Sequence, residues 1–576
     1  MFFFNNLKFK NFYTVEQKKN MKIFVVLSLI GMIFEILGIG LILPFLSSLI
    51  DPILSEKFIN YINNFGFNLL NQKSLILFLI IFILFIFIIK AIFLSLVAFK
   101  QTKFLIDLKT DISNKLYRIY LSKSFNFHLN NNSSKLIRDL NDSIQISIVT
   151  KSILILITEI FVVIGVLSLM IFLEPMGTII SFSLIFFIGY AFHFFVKHKA
   201  SKWGEDRKSH EAIRLQYLQQ GFSSIKDIKI LNKVEYFIHL FSRQNKLTNR
   251  AQFKQEFNLS LPRIWFELFT IIAFVFFFLL VMNFQQKEAV NFIPVLGFFA
   301  AAAFRIIPSI VRIMNSLQLI KFGLPVVKTY IQEFSDFEEK ILDDDNLKKI
   351  KFRNYIQLIN INYTYPNTTK KILNNLNIKI PFGSSVGIYG DSGVGKSTLL
   401  NVFLLLLQPQ SGKIIVDGED IKNSARQWQN IMGYVPQNVY LIDDTLIKNI
   451  ALGAKDDQIN IQMINETAEK AKLSKFVNSL NEGFQTSVGE FGDRISGGQR
   501  QRIGIARALY NDPQILILDE YTNSLDLETE EEIVKEVNSL KSTKTIITIT
   551  HKFSSLKFCD SIYKMTQHEG LIKINL

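Results

Sequence analysis

GDSGVGKST, residues Gly390–Thr398, stands between a short apolar run, SSVGIY (384–389), and a longer one, LLNVFLLLL (399–407). The first run has the length of a buried strand and the second that of a helix, so the order is strand, glycine-rich loop, helix. The spacing fits G-x-x-x-x-G-K-[ST] in the context that gives the pattern its meaning. Gly390, Gly393 and Gly395 let the backbone curl around Asp391, Ser392 and Val394 until its N–H groups converge, and Thr398 lies in the first turn of the helix. Amide donors leading into a helix N-terminus hold phosphate. Lys396 is placed to bridge β- and γ-phosphates and Ser397 to ligate Mg²⁺. The expectation is an α/β phosphate-loop domain that takes a nucleoside triphosphate.

Downstream, ILILD (Ile515–Asp519) is a short apolar strand ending in a carboxylate, with Glu520 next. Asp519 can hold Mg²⁺ through water, and Glu520 is placed to orient or deprotonate an attacking water. Together with the loop, this pair predicts a triphosphatase.

Upstream the chain changes character. Of 576 residues, 49% are hydrophobic, 55 are Phe and only 20% are charged, too apolar for an ordinary soluble domain. Six apolar runs of bilayer length fall near 23–50, 75–99, 152–173, 177–196, 264–284 and 289–312. About 20 helical residues cross a hydrocarbon core of about 30 Å, so these read as membrane-spanning helices and not as a soluble core. The segments between them alternate in charge: Lys and Arg number 27 in residues 1–22, 100–138 and 197–263, against 3 in 51–74, 173–178 and 284–290. Basic segments stay inside during insertion, which predicts cytoplasmic termini and long cytoplasmic loops built as helix extensions. The net charge of +15 therefore reports topology and gives no reason to expect a nucleic-acid partner. No cleavable signal is expected, because the first apolar run is too long. The outer segment 51–71 reads equally as a surface helix or a loop. A single cysteine, Cys559, excludes a disulfide within the chain. The expected domains are a transmembrane domain over 1–330, a charged linker over 331–354 and a nucleotide-binding domain over 355–576.

Between the loop and Asp519 stands ISGGQRQRIGIARAL, Ile495–Leu509. With it the chain resembles an ATP-binding cassette (ABC) half-transporter of the exporter type, the signature beginning with Ile495 in place of Leu. Ser496, Gly497, Gly498 and Gln499 open a helix and form a second anion site, which in that family caps the γ-phosphate held by the opposite subunit. The resemblance implies a homodimer. It also implies that Tyr365, in NYTYPN, stacks on adenine, that Gln437, in YVPQN, touches Mg²⁺ or water, and that His551, in TITH, contacts the γ-phosphate. SLD (524–526) matches the family's D-loop and TSVGEFG (486–492) the loop typical of exporters. Residues 125–142 and 217–233 resemble the segments that couple the two domains near Gln437. Departures are Tyr521 and Asn523 where Ala and Ser are usual, and Lys552 where Arg is usual.

Charged side chains inside spans cost at least a few kcal/mol and so mark candidate sites. Lys90, Arg263, Arg305 and Arg312 qualify, the last two being seven residues apart with Pro308 between them, a residue expected to open the backbone locally. Guanidinium groups suit phosphate or pyrophosphate. Glu35, Glu159 and Glu267 offer a competing reading, in which the bases are neutralised in structural pairs. LPRIWFE (261–267), FRIIPSIVRI (304–313) and IFEILGIGLILPF (33–45) are similar to PglK-type flippases of lipid-linked oligosaccharides. That resemblance implies an ATP-driven flippase of a polyprenyl-pyrophosphate-linked oligosaccharide in a bacterial inner membrane, with the four bases handling the pyrophosphate. The alternatives are an exporter of lipid A, other lipids or drugs on the same scaffold, and an ATP-gated channel or regulator.

Overall fold

The computed structural model describes residues 12–50, 52–64, 66, 69, 71–173, 175–284, 293–335, 350–366, 368–523, 527–566 and 570–574. Its contacts divide the chain into two units, one made of residues 1–123 with 127–339, the other of 124–126 with 340–576.

The first unit is helical: α1 (Val15–Gly40), α2 (Ile42–Ile50), α3 (Pro52–Asn63), α4 (Gln72–Ser122), α5 (Phe125–Asn130, whose first two residues fall in the second unit), α6 (Ser133–Asn141), α7 (Ser143–Leu173), α8 (Pro175–Ser223), α9 (Ile225–Ile230), α10 (Val234–Phe284) and α11 (Ile293–Ser335). α4 and α10 have 51 residues each. At 1.5 Å per residue that is about 75 Å, more than twice a hydrocarbon core, so the basic loops are indeed helix extensions. Four described stretches, 15–49, 72–122, 133–173 and 297–335, are long and apolar enough to cross a membrane. The other two expected spans lie in α8 and α10, many of whose side chains fall outside the described set, and the count of six remains a reading of the sequence.

The apolar surplus is on the outside. Leu77, Ile81, Leu84 and Phe85 of α4 are all more than half exposed, as side chains facing lipid tails are. Where helices meet, small residues let them close up: a Cβ on Gly204 of α8 would stand 2.1 Å from the carbonyl oxygen of Phe322 in α11. Most of the described outer segment is helical, with Ile59 of α3 packed on Leu75 and Leu79 of α4. The expected linker begins inside a helix, since α11 runs to Ser335, and 336–349 lie outside the described residues.

The second unit holds two sheets. β1 (Tyr355–Thr364), β2 (Lys371–Pro381), β4 (Ser411–Val416) and β5 (Glu419–Asp420) form an antiparallel sheet in the order β2-β1-β4-β5. The larger sheet runs β10 (Gly570–Ile574), β9 (Ser561–Thr566), β3 (Ser385–Tyr389), β8 (Thr545–Thr550), β7 (Ile515–Asp519), β6 (Met432–Val435). β9, β3, β8, β7 and β6 are parallel. Every residue of β7 and β8 is buried, which explains why ILILD reads as an apolar run up to its final carboxylate and why β8 is built of Ile and Thr alone. The expected fold class, a helical transmembrane domain followed by an α/β phosphate-loop domain, is what the chain adopts.

Candidate functional site: a nucleotide site and an intramembrane ion cluster

Parallel strands aligned in one sheet end on one side, and ligands of such sheets bind beyond those ends. Four motifs sit there because four strands do: β3 leads into Gly390, β6 ends two residues before Gln437, β7 ends at Asp519, and β8 at Thr550 before His551. Segments up to 160 residues apart in sequence become one site through strand order alone.

The phosphate loop closes on itself. Lys396, buried, donates from Nζ to the carbonyl oxygens of Gly390 at 2.6 Å and Asp391 at 3.0 Å. Gly393 and Gly395 have φ of 81° and 110°, the left-handed region that favours glycine, and a Cβ on Gly393 would meet nothing within 4 Å. Gly395 caps helix α12 (Lys396–Phe403), whose exposed Ser397 stands in its first turn. Tyr365 packs edge-on against Tyr363 with centroids 5.2 Å apart, and its hydroxyl lies 3.2 Å from that of Thr398, which places the ring beside the loop.

Glu520 is the hub of the far side. Its Oε2 accepts from Gln437 Nε2 at 2.7 Å and from Asn523 Nδ2 at 2.8 Å, and its Oε1 lies 3.2 Å from His551 Nδ1. Its φ is 49°, unusual for a residue with a side chain, while its N–H bonds to Ile549 O at 2.8 Å. Backbone outliers of this kind collect at sites where geometry must be held. Burial, and then the charge of Glu520, push the Asp519 carboxyl up to about 6, opposed by the hydroxyl of Tyr434 at 3.5 Å and the charge of Lys396.

The donor set fits a magnesium nucleotide. Among the described residues no group of three or more His, Cys, Asp or Glu could hold a metal by itself. Asp519, the Ser397 hydroxyl and the Gln437 amide supply hard oxygens, too few for a protein-only cage but suited to a cation that arrives with phosphate oxygens.

Ser496 is the N-cap of α13 (Gly497–Tyr510): its side chain accepts from Gln499 N at 3.3 Å while Gln499 Oε1 accepts from Ser496 N at 3.0 Å. Ser496 and Gly497 are exposed, and among the described residues the turn forms no hydrogen bond to the phosphate loop of its own chain. Residues 524–526, expected as the D-loop, lie outside the described set.

In the membrane domain three of the four expected bases come together. Glu35 of α1 pairs with Lys90 of α4 and Arg305 of α11, each at 2.9 Å. Glu159 of α7 pairs with Arg305 at 3.6 Å and Arg312 at 3.1 Å. Both glutamates are buried, whereas Arg312 is half exposed. Arg263 and Glu267 are exposed and lie outside this cluster. Lys90, Arg305 and Arg312 lie on α4 and α11, where they meet glutamates of α1 and α7, while Arg263 is an exposed residue of α10 next to the buried Pro262. Each of those three bases has a glutamate partner, and three bases against two acids leave the cluster one formal positive charge. Pro308 does not interrupt α11, and its carbonyl accepts from Arg312 Nε at 3.3 Å.

Residues 14–305, just over half of the chain, match the ABC transporter transmembrane region, and residues 373–523 match the ABC transporter family model. The chain belongs to the ABC transporters. This transporter is 39% identical over 208 residues to an ATP-dependent lipid A-core flippase of Escherichia coli, 35% identical over 248 residues to one of Aliivibrio fischeri, and 36% identical over 251 residues to ABC transporter B family member 6 of Dictyostelium discoideum. The matches span 36–43% of this chain and 36–42% of those proteins. A solved structure of a bacterial Atm1-family ABC exporter with ATP bound is similar in fold, with a TM-score of 0.76, 21% identity, and coverage of 94% of this chain and 93% of that one. The exporter fold is thereby shown.

The ABC transporter also uses residues that sequence reasoning did not assign. Arg507 of α13 donates to Asn449 O at 2.7 Å, Asn449 Oδ1 at 3.1 Å and Tyr440 O at 2.8 Å, tying the signature helix to the segment after Gln437. A lone base among the small and apolar residues of IARAL was the available signal. Asn523, noted only as a departure from the family pattern, donates to Glu520.

Proposed function

We propose that this chain is one half of an ATP-driven exporter, a homodimer when assembled, that moves a lipid with a phosphorylated head group to the outer leaflet of a bacterial inner membrane, with both termini cytoplasmic. The observation that carries the cargo class is the intramembrane cluster in which Lys90, Arg305 and Arg312 surround two buried glutamates with one positive charge in excess. Charged head groups cannot cross hydrocarbon unaided, whereas acyl or prenyl tails have no reason to leave it. A basic group within the helices serves the first demand and the exposed apolar faces the second.

Lipid A, lipids of similar head group or drugs form the first reading of the cargo, in line with the names of the relatives. A polyprenyl-pyrophosphate-linked oligosaccharide is the second, favoured by two guanidinium groups on one helix, which suit paired phosphates. At the nucleotide site Lys396 and the loop amides bind phosphate, Glu520 orients the attacking water and accepts its proton, and His551 and Gln437 hold the Glu520 carboxylate. Ser397, Gln437 and Asp519 would hold Mg²⁺ arriving with the nucleotide, which would neutralise charge developing on the phosphates. Domain closure around two composite sites then drives the helices through the segments 125–142 and 217–233.

Reconstituted protein tests this directly. Liposomes holding lipid A or a polyprenyl-pyrophosphate glycan should show ATP-dependent flipping of one of them, lost in Arg305→Ala and Arg312→Ala. Wild-type flipping rates in both variants would remove the phosphate role. Ion conductance that survives Glu520→Gln with ATP present would point to a gated channel instead.

A further inference from the structure

The two catalytic turns of the nucleotide site meet twice. On the side of the nucleotide, Glu520 and His551 lie 3.2 Å apart. A second, buried and unassigned carboxylate joins the same two turns. Glu530, in the first turn of helix α14 (Leu527–Ser539), is only 5% exposed. Its Oε1 accepts from the hydroxyls of Thr522 at 3.1 Å and Ser555 at 2.7 Å, which are themselves 3.2 Å apart, and its Oε2 accepts from Lys552 at 3.4 Å. Thr522 and Ser555 are almost fully buried. Thr522 follows Glu520 by two residues, Lys552 follows His551 by one, and Ser555 follows it by four.

A buried carboxylate with three donors from two segments resists displacement, because losing any donor leaves a charge unsolvated. The Glu520 turn needs such an anchor, since its left-handed backbone persists only where the surroundings hold it. Its other ties are backbone bonds from Glu520 N to Ile549 O at 2.8 Å and from Asn523 N to Glu520 O at 3.3 Å, and the exposed side chains of Asn523, Gln437 and His551.

We propose that Glu530 is a positioning residue for ATP hydrolysis: by clamping Thr522 to Lys552 and Ser555 it keeps the Glu520 carboxylate and the His551 imidazole in register. It touches no nucleotide and acts through the two turns. The proposal rests on the ATPase reading above, and Glu520→Gln keeps the two separable, because wild-type turnover that this change abolishes leaves the ATPase reading standing whatever Glu530 does.

The test uses the full-length transporter in detergent or nanodiscs, with steady-state ATPase rates, binding of a fluorescent ATP analogue and thermal unfolding. Glu530→Ala removes all three bonds and should lower kcat on the order of tenfold or more while the KM for ATP and the affinity for the analogue stay within about twofold, since displaced catalytic groups cost rate and not binding. Glu530→Gln keeps an acceptor for both hydroxyls and should recover most of the rate. A kcat within about twofold of wild type in Glu530→Ala, or kcat and KM failing together without rescue by Gln, overturns the proposal. Should Glu530→Ala not fold, Ser555→Ala decides: about threefold or more off kcat at unchanged KM supports the clamp, and a wild-type kcat sinks it.

Discussion

Glu520 shows what a single position carries. Its carboxylate collects an amide from Gln437, another from Asn523 and the ring of His551, and its backbone stands where few side-chain-bearing residues do. The identity of the residue was legible from ILILD followed by Glu, but two of its partners, Gln437 and His551, lie 83 and 31 residues away and its φ has no signature in composition. Its neighbour Asp519 has a carboxyl raised to about 6 by burial and by Glu520. An acid raised above its ordinary value favours the fold most when protonated, below about pH 4, and this contribution is lost as pH rises through about 6. Mg²⁺ needs the opposite form, so the gain in melting temperature from magnesium ATP should shrink between pH 7.5 and pH 5.5, and a constant gain across that range would contradict the role of Asp519. Cys559 is buried, and burial pushes its thiol up against a weaker opposing bond from Ser385. The native protein should therefore react with iodoacetamide at pH 8 at least about tenfold more slowly than the unfolded chain, as followed by mass spectrometry.

At the scale of elements, helix length and helix contact diverge in legibility. Apolar runs announce α1, α4 and α7, and charge alternation announces that α4, α8 and α10 continue past the membrane, because both signals are local. Which helices touch is not local. Gly204 shows the difference: in sequence it is one glycine in KWGED, and in the fold it is where α8 reaches the backbone of α11. Gly204→Ala should lower stability by roughly 2 kcal/mol or more through overpacking, read as a fall in melting temperature in detergent, whereas an unchanged value would mean the helices can part at no cost. The signature helix α13 makes the converse case, since its capping box is written in SGGQ itself. Ser496→Ala should cost about 1 kcal/mol of local helix stability, measurable by hydrogen exchange at the first turn of α13.

For the molecule as a whole, one copy of each motif, and a signature turn that among the described residues has no bond to its own phosphate loop, support the proposed pairing of two chains. Glu520→Gln with magnesium ATP should shift the protein to a long-lived closed dimer, seen as nucleotide-dependent crosslinking between turns at Ser496 and Gly393 of opposite copies. Crosslinks confined to one chain would refute the arrangement. The sequence alone determined the order of the domains, the chemistry of the phosphate loop and the presence of costly charges within the membrane, because each depends on residues within about ten positions of one another or on composition. Only the tertiary structure decided that Glu35 meets both Lys90 and Arg305, that Glu159 meets Arg305 and Arg312, and that Arg263 meets neither. Charges attract across space and not along the chain, so their pairing follows from which helix faces pack together, a choice made by side-chain shape over the whole bundle.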